Sequence, residues 1–238
     1  MVDLSGAFLN TNESVTARAT TDFVEGLRAQ IIAGSRAPNS RVQLDELKKS
    51  FNLSLSPIRE GLSHLVAEGF LVANGQRGYR VAPLCLEEFM DLQKIRIDLE
   101  IKALQESIRL GDEAWELSLM AAFKRLQNFE SRRWASEEVG SWEERHHVFH
   151  ETLISACHSP LLIRFCHILH QMSDRYRRVC LRNREPDHRV TQEHEQLYEA
   201  AYARNAERAS EILRTHIERT GKNVLAVMQS QLDKEKTG

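Results

Sequence analysis

Long apolar runs are missing from this sequence. No stretch approaches eighteen consecutive apolar residues, so no transmembrane helix is expected. The first residues, MVDLSGAFLNTNES, lack a basic segment followed by an apolar one, so a secretion signal is not expected either. These absences predict a cytoplasmic protein without a membrane partner.

Cysteine is also scarce, with four residues in a chain of 238 and no CxxC pair among them. Three of the four lie in apolar helical patterns, where a buried free thiol is the ordinary state. This usage is typical of a reduced, cytoplasmic protein.

An excess of positive charge is the third absence, because the net charge is −2. Residues 1–84 carry nine Lys and Arg against eight Asp and Glu, and the remainder carries 23 against 26. A DNA-binding surface on this protein must therefore be a local patch rather than a basic domain.

The pattern over residues 16–84 predicts a winged helix-turn-helix domain, after a tail over residues 1–15 that we expect to be disordered. Apolar residues recur at helical spacing from Phe23 to Ile32, and a second short helix has the sequence LDELKKSF. A turn, NLSLSP, leads into a third helix whose first turn contains Pro57. Two apolar runs around NGQRG then predict a β-hairpin.

From residue 86 onward the pattern changes to six long amphipathic segments. They cover about 86–110, 112–132, 137–157, 159–183, 187–204 and 206–231. This predicts an all-α helical bundle over residues 86–231, so the fold class is mainly α with two domains.

The first domain resembles the DNA-binding domain of GntR-family bacterial regulators. The family pattern joins a Ser-x-x-Pro-φ-Arg-Glu-x-Leu helix to Glu-Gly-φ-φ and an Arg-Gly-x-x-Val wing. The matching residues are Ser54, Pro57, Ile58, Arg59, Glu60, Leu62, Glu68, Gly69, Arg77, Gly78 and Val81.

The resemblance implies that the third helix and the wing contact an operator. A helix N-terminus with short hydroxyls suits phosphates, and an arginine suits a base edge or a phosphate. The expected DNA-binding residues are Ser54, Leu55, Ser56, Pro57, Arg59, Arg77 and Gly78. Many relatives have an arginine where this chain has Leu55, and leucine cannot read guanine, so the operator should differ from the common one. The alternative for Arg59 and Glu60 is an ion pair.

The helical part is similar to the FCD effector module of FadR-type members of this family. Arg96 and Glu100 fit its Arg-x-x-φ-Glu helix, FHETLISACHSPLL fits its Phe-His helix, and HEQLYEAAYARNAERASEILRTHI fits its final helix pair. The combination of segments is similar to the carbon-starvation, glutarate-responsive branch.

Histidine is concentrated in one segment, because four of the ten lie between His146 and His158. Many FCD modules hold a metal on one carboxylate and three histidines, and the resemblance places these ligands at His146, His150, His194 and His216. His146 and His150 are four residues apart, so both lie on one helix face. Imidazole suits a divalent transition metal, zinc or nickel above all, and binding requires its neutral form, so affinity should fall below about pH 6.5.

Histidine at position 146, where the family has a carboxylate, makes a hard ion such as magnesium less suitable. Alternatively, the site has lost its metal and binds an acid directly. Five further histidines of the helical part match no ligand position and are expected at the surface or in the core. They are His147, His158, His167, His170 and His188.

Arg96 and Arg175 are the candidate effector-binding residues, because a guanidinium holds a carboxylate through two parallel hydrogen bonds. They predict a small carboxylate, such as a dicarboxylate, as the effector. The simpler interpretation of DRYRRVCLRNR is a solvated basic face.

Together these observations predict a homodimeric repressor of a catabolic operon that binds a palindromic operator and is not an enzyme. One alternative is a metal-responsive regulator whose signal is the ion itself. A metal-dependent hydrolase is disfavoured, because neither His-Glu pair continues to HExxH and four protein ligands leave little room for an activated water.

Overall fold

A computed structural model describes residues 5–132, 138–180 and 188–237. The backbone contacts divide the chain into two compact units, Met1–Leu84 and Cys85–Gly238. In the described ranges, none of the helices has the length and apolar character needed to cross a membrane.

The first unit is a winged helix-turn-helix. Its elements are α1 (Ser5–Ile32), β1 (Arg41–Val42), α2 (Leu44–Phe51), α3 (Leu55–Ala67), β2 (Leu71–Ala73) and β3 (Tyr79–Val81). The strands form one antiparallel sheet in the order β1-β3-β2, and a 3₁₀ turn at Gly75–Arg77 joins β2 to β3. The hairpin predicted around NGQRG is therefore the wing.

Two features of this unit differ from the sequence-based expectation. The expected disordered tail over residues 1–15 is helical from Ser5, because α1 begins there; residues 1–4 lie outside the described residues. No proline or glycine interrupts residues 7–25, so the helix continues through them. The segment before α2, for which the sequence pattern predicts no strand, contains β1, whose two residues are too few to show alternation.

The core of this unit forms where α1 crosses α3. Phe23 and Leu27 of α1 and Ile58 and Leu62 of α3 are fully buried. At Gly61 a side chain is excluded, because an added Cβ would lie 2.6 Å from Phe23 Cδ1. This close approach fixes α3, and with it the surface that α3 presents, against the rest of the domain.

The second unit contains six helices in the described residues. They are α4 (Leu86–Leu110), α5 (Glu113–Glu130), α6 (Val139–Ile154), α7 (Pro160–Cys180), α8 (His188–Tyr202) and α9 (Ala206–Thr237). The all-α prediction is confirmed, and α4 has the predicted bounds. The predicted second and third segments are longer than α5 and α6, and residues 133–137 between them lie outside the described ranges.

The bundle core positions the inner faces of α6, α8 and α9. Helix α4 packs against α6, α7 and α9, while α5 packs against α6 and α8. Leu104, Phe123, Phe149, Leu197 and Leu213 are buried together in this core. Polar side chains on the same inner faces are consequently buried as well, and the histidines are among them.

Candidate metal centre and nucleic-acid interface

Four histidines from three helices meet inside the second unit. His146 and His150 come from α6, His194 from α8 and His216 from α9, and all four are buried. One ring nitrogen from each lies within 4.8 Å of the others. The structure thus brings together all four histidines that the resemblance selected.

Local helix geometry explains half of this arrangement. The four-residue spacing on α6 places the ring centroids of His146 and His150 4.5 Å apart. Trp142, one turn earlier, stacks on His146 with centroids 4.7 Å apart. The positions of the other two histidines depend on tertiary packing, because α8 and α9 pack together and place the ring centroids of His194 and His216 5.0 Å apart.

Three of these histidines have a buried nitrogen without a hydrogen-bond partner in the described part of the chain. The atoms are Nδ1 of His146, Nε2 of His150 and Nε2 of His194. A buried polar atom left unpaired costs about 1–3 kcal/mol. A cation bound to the nitrogen lone pairs removes this cost, so the donor set fits a metal ion.

Two carboxylates orient the rings from outside. Nδ1 of His194 lies 3.1 Å from Glu130 Oε1, and Nδ1 of His216 lies 2.8 Å from Glu193 Oε2. Arg219 donates two further hydrogen bonds to Glu193, at 2.7 and 2.6 Å. Such carboxylate–histidine pairs keep the proton on Nδ1 and leave Nε2 available to a metal. Neither glutamate was predicted, although Glu193 adjoins His194 in the sequence.

The environment favours the neutral form of three of the four imidazoles. Burial, reinforced by neighbouring imidazoles, lowers the pKa of His146 and His150 well below 6.5. Burial also lowers the pKa of His216 to about 4, although the hydrogen bond to Glu193 opposes the shift. The loss of metal affinity expected below pH 6.5 therefore moves to lower pH, because these rings are already in the ligating form.

A cavity of about 240 Å³ adjoins this centre between α4, α6 and α7. His150 and His170 line it, together with Glu100 and the apolar side chains of Ile154 and Ile163. The volume is below the roughly 300–1,000 Å³ of pockets for drug-sized ligands, so the cavity suits a small molecule.

Arg96, a predicted effector-binding residue, is buried and already partnered. Its Nε lies 2.7 Å from Glu100 Oε1 and its Nη1 lies 2.7 Å from Ser173 Oγ. Burial raises the pKa of Glu100 even though Arg96 opposes the shift. Arg96 is thus linked to the cavity by its hydrogen bond to Glu100, which is one of the residues that line the cavity.

Residues 174–177 of DRYRRVCLRNR are buried, so the interpretation as a solvated basic face is wrong for this part of the segment, whereas Arg178 is half-buried. Arg175 is 2% exposed, and its guanidinium lies 5.7 Å from the Tyr176 ring. Arg177 Nη1 donates to Glu143 Oε1 at 2.5 Å, and its Nη2 donates to Asp174 Oδ1 at 2.9 Å. Partner carboxylates on α6 and α7 allow this burial. Residues 181–184 lie outside the described ranges.

The predicted DNA-binding residues occupy two places in the first unit. Ser54, Leu55, Ser56 and Arg59 are exposed at the start of α3, whereas Pro57 is buried in its first turn. Pro57 therefore shapes the helix start instead of offering a contact surface.

The wing contributes the remaining pair. Arg77 is exposed at the hairpin tip, and Gly78 has φ +85°, a conformation that favours glycine. The first turn of α3 and the wing together present backbone N–H groups, hydroxyls and two cations to the exterior, a combination that suits phosphates.

Two family models match this chain, and together they span most of it. The model described as "Bacterial regulatory proteins, gntR family" matches residues 20–81, and the FCD domain model matches residues 91–219.

Curated relatives agree with these matches. The HTH-type transcriptional regulator BphR of Paraburkholderia xenovorans (strain LB400) is 40% identical over 194 residues, covering 81% of this chain and 79% of BphR. The HTH-type transcriptional repressor GlaR of Escherichia coli (strain K12) is 30% identical over 200 residues, covering 82% of this chain and 91% of GlaR.

Solved structures share the fold. Escherichia coli McbR/YncC superposes with a TM-score of 0.74 at 19% identity, over 90% of this chain and 98% of that one. A GntR-family regulator from Pseudomonas syringae pv. tomato superposes with a TM-score of 0.55 at 28% identity, over 91% of this chain and 89% of that one. These families and relatives are transcriptional regulators, not enzymes.

Proposed function

Since this chain belongs to the gntR family of bacterial regulatory proteins and carries an FCD domain, we propose that it is a metal-containing repressor released from its operator by a small carboxylate. DNA binding and transcriptional regulation follow from the family. The metal, the acid and the sign of regulation are the proposed parts. The protein acts in the cytoplasm, where its operator lies.

The unpartnered imidazole nitrogens carry the metal assignment. Three buried nitrogens, on His146, His150 and His194, lack a hydrogen-bond partner in the described chain and lie beside the fourth ring. The nitrogen atoms of the four rings lie within 4.8 Å of one another, and binding of zinc at about 2.0–2.1 Å from each would draw them closer together. When bound, the ion supplies positive charge and an acceptor for ligand lone pairs. Zinc or nickel suits this all-nitrogen set.

The cavity beside this centre is the proposed effector site. Its volume admits a small organic acid, and a centre of four neutral imidazoles leaves the full charge of a divalent ion to attract an anion. Arg96 joins the site when the incoming carboxylate replaces Glu100 as its partner. Arg175 remains a candidate on sequence grounds, although its buried guanidinium lies against Tyr176.

Contacts to DNA are proposed for the exposed start of α3 and the wing. Ser54, Ser56 and Arg77 bind phosphates, Arg59 reads a base edge or binds a phosphate, and Leu55 offers an apolar contact to a thymine methyl. Two copies on a palindrome form the operator complex, because a symmetric dimer matches two half-sites. Repression is proposed because GlaR, a relative at 30% identity, is named as a repressor.

A second candidate function is a regulator whose signal is the metal itself. The number of ligands favours it, since four histidines already satisfy a tetrahedral ion and leave the acid no coordination position. In that case the affinity of the protein for its operator changes when the metal is added or removed, without any acid.

The deciding experiment is fluorescence anisotropy with a duplex selected by the protein from a random pool. Metal-free and zinc-loaded protein are each titrated with small dicarboxylates such as glutarate. We expect an acid to weaken DNA binding of the loaded protein, and His146→Ala to abolish the response. His158→Asn is the matched control, because His158 is exposed at φ +51°, which asparagine tolerates.

Each alternative result has a defined meaning. A response to zinc without any acid supports the metal-responsive regulator. An acid response that is unchanged in metal-free protein and in His146→Ala refutes the role of the metal. Failure of both zinc and the acids to alter binding refutes both functions of the helical domain.

A further inference from the structure

We propose that a second divalent cation binds between α6 and α7, on His147, Glu151 and His167. One candidate ligand atom from each residue lies within 4.8 Å of the others. These three residues are separate from the four buried histidines. The resemblance to FCD modules assigns them no role.

The carboxylate of Glu151 is the centre of this cluster. His147 Nε2 lies 3.0 Å from Glu151 Oε1, and His167 Nδ1 contacts the same oxygen. The two imidazoles thus converge on one atom from two different helices. A cation placed among them would bind both nitrogen lone pairs and a carboxylate oxygen, after the two ring protons leave.

The sequence HHVFHE explains how one helix serves two sites. His146 and His150 form one pair with four-residue spacing, and His147 and Glu151 form a second, one residue later. One residue corresponds to a rotation of about 100° around the helix. The first pair therefore faces α8 and α9, while the second faces α7, which supplies His167.

Gln171 completes the surroundings of His167. Its amide Nε2 lies 2.8 Å from His167 Nε2, one helical turn along α7. A metal-bound imidazole usually has a hydrogen-bond partner on its other nitrogen, which fixes the ring. Because an amide offers both a donor and an acceptor, Gln171 can serve His167 in either tautomer.

A neighbouring trio is less suited to a cation. His147, His170 and Asp174 also bring ligand atoms within 4.8 Å of one another. However, Asp174 Oδ1 already accepts a hydrogen bond from Arg177 at 2.9 Å, and that guanidinium repels an incoming cation. The cluster centred on Glu151 is the better assignment.

The second site differs from the first in access. The side chains of His147, Glu151 and His167 are 24%, 39% and 40% exposed. Glu151 and His167 also line the cavity of about 240 Å³. A cation here can exchange with solvent, and three protein ligands leave at least one position open to water or to a carboxylate in the cavity. Two imidazoles and one carboxylate suit zinc, cobalt, nickel or manganese.

The test is calorimetric and spectroscopic titration of metal-free protein with Co²⁺, followed by metal analysis after dialysis. Wild type should bind two ions per chain in two phases. Glu151→Gln keeps an oxygen acceptor for both histidines but loses the charge, and should weaken one phase at least about tenfold while the other is retained. His167→Asn should do the same, whereas His64→Ala, an exposed histidine in the other unit, should change neither phase.

His194→Ala separates this proposal from the four-histidine centre. This substitution should remove the Co²⁺-binding phase of the four-histidine centre, together with its absorption bands. The binding phase that is weakened in Glu151→Gln should remain. The proposal is overturned if wild type binds a single ion with unchanged affinity in Glu151→Gln, or if both phases survive in Glu151→Gln and His167→Asn. If wild type binds a single ion, and its affinity falls in Glu151→Gln but not in His194→Ala, the result would support the site on Glu151 and refute the four-histidine centre.

Discussion

Acidification from pH 7.5 to pH 5.5 should lower metal affinity at the four-histidine centre far less than at a site built from ordinary histidines. Metal and proton compete for the same nitrogen lone pairs, so affinity falls only where the free site binds protons. Burial lowers the pKa of His216 to about 4 and lowers the pKa of His146 and His150 well below 6.5. These rings remain neutral throughout the range.

The expected difference from an ordinary site is large. An imidazole with pKa 6.5 is about 90% neutral at pH 7.5 and about 10% neutral at pH 5.5, which costs roughly tenfold in affinity per ligand. Three such ligands would lose about a thousandfold, or about 4 kcal/mol. His216, whose pKa is lowered to about 4, is still almost entirely neutral at pH 5.5, so its protonation lowers metal affinity by a few per cent at most.

The assay is competition with a chromophoric chelator at both pH values, corrected for protonation of the chelator. Circular dichroism must accompany it, because the metal-free fold weakens in acid. A histidine whose pKa is lower in the folded state stabilises the fold fully above pH 6.5 and loses this contribution as the pH falls towards its folded value. His216 alone should lose about 1.4 kcal/mol by pH 5.5. A thousandfold loss of affinity in folded protein would refute the inference that burial keeps the site neutral.

Three further predictions concern other parts of the molecule. Arg177→Met removes the guanidinium that the buried carboxylates of Glu143 and Asp174 share, leaving only Arg178 at 3.7 Å from Glu143, and should cost about 3–5 kcal/mol, or roughly 6–20 °C in thermal unfolding; a shift below about 2 °C would contradict the pairing. Arg59→Ala should weaken operator binding and, if the contact is to a phosphate, lower the slope of log K against log salt by about one; unchanged binding would remove Arg59 from the interface. Gly61→Ala should destabilise the first unit by about 1–3 kcal/mol in urea, because its Cβ would lie 2.6 Å from a buried phenyl ring; wild-type stability would show that the ring can move.

The helices could be predicted because their apolar spacing is strong and local. Leu86–Leu110 combines a long periodic pattern with a terminating glycine, and its bounds follow directly. The two-residue strand β1 could not be predicted, since its structure depends on pairing with β3. The helix from Ser5 was not predicted, because its polar composition is also typical of a disordered tail.

Only part of the candidate metal centre could be predicted from the sequence. Four-residue spacing alone selects His146 and His150, but only the family resemblance placed His194 and His216 beside them. The carboxylate Glu130, which orients His194 from another helix, leaves no local signal in the sequence. Buried arginines were misjudged for the same reason, since their partner carboxylates lie on other turns or other helices.

Charge links the two ligands proposed for the helical domain. Glu100 and Glu151 line the cavity, so an acid entering it meets carboxylates unless a cation compensates them. Arg96 already shares its charge with Glu100, whereas four neutral imidazoles would leave the charge of a bound ion intact. The ion should therefore strengthen binding of the acid, and by linkage the acid must strengthen binding of the ion by the same factor. Because this equality follows from thermodynamics alone, the role of charge is tested by the sign of the coupling, and an acid that binds zinc-loaded protein no more tightly than metal-free protein would refute it.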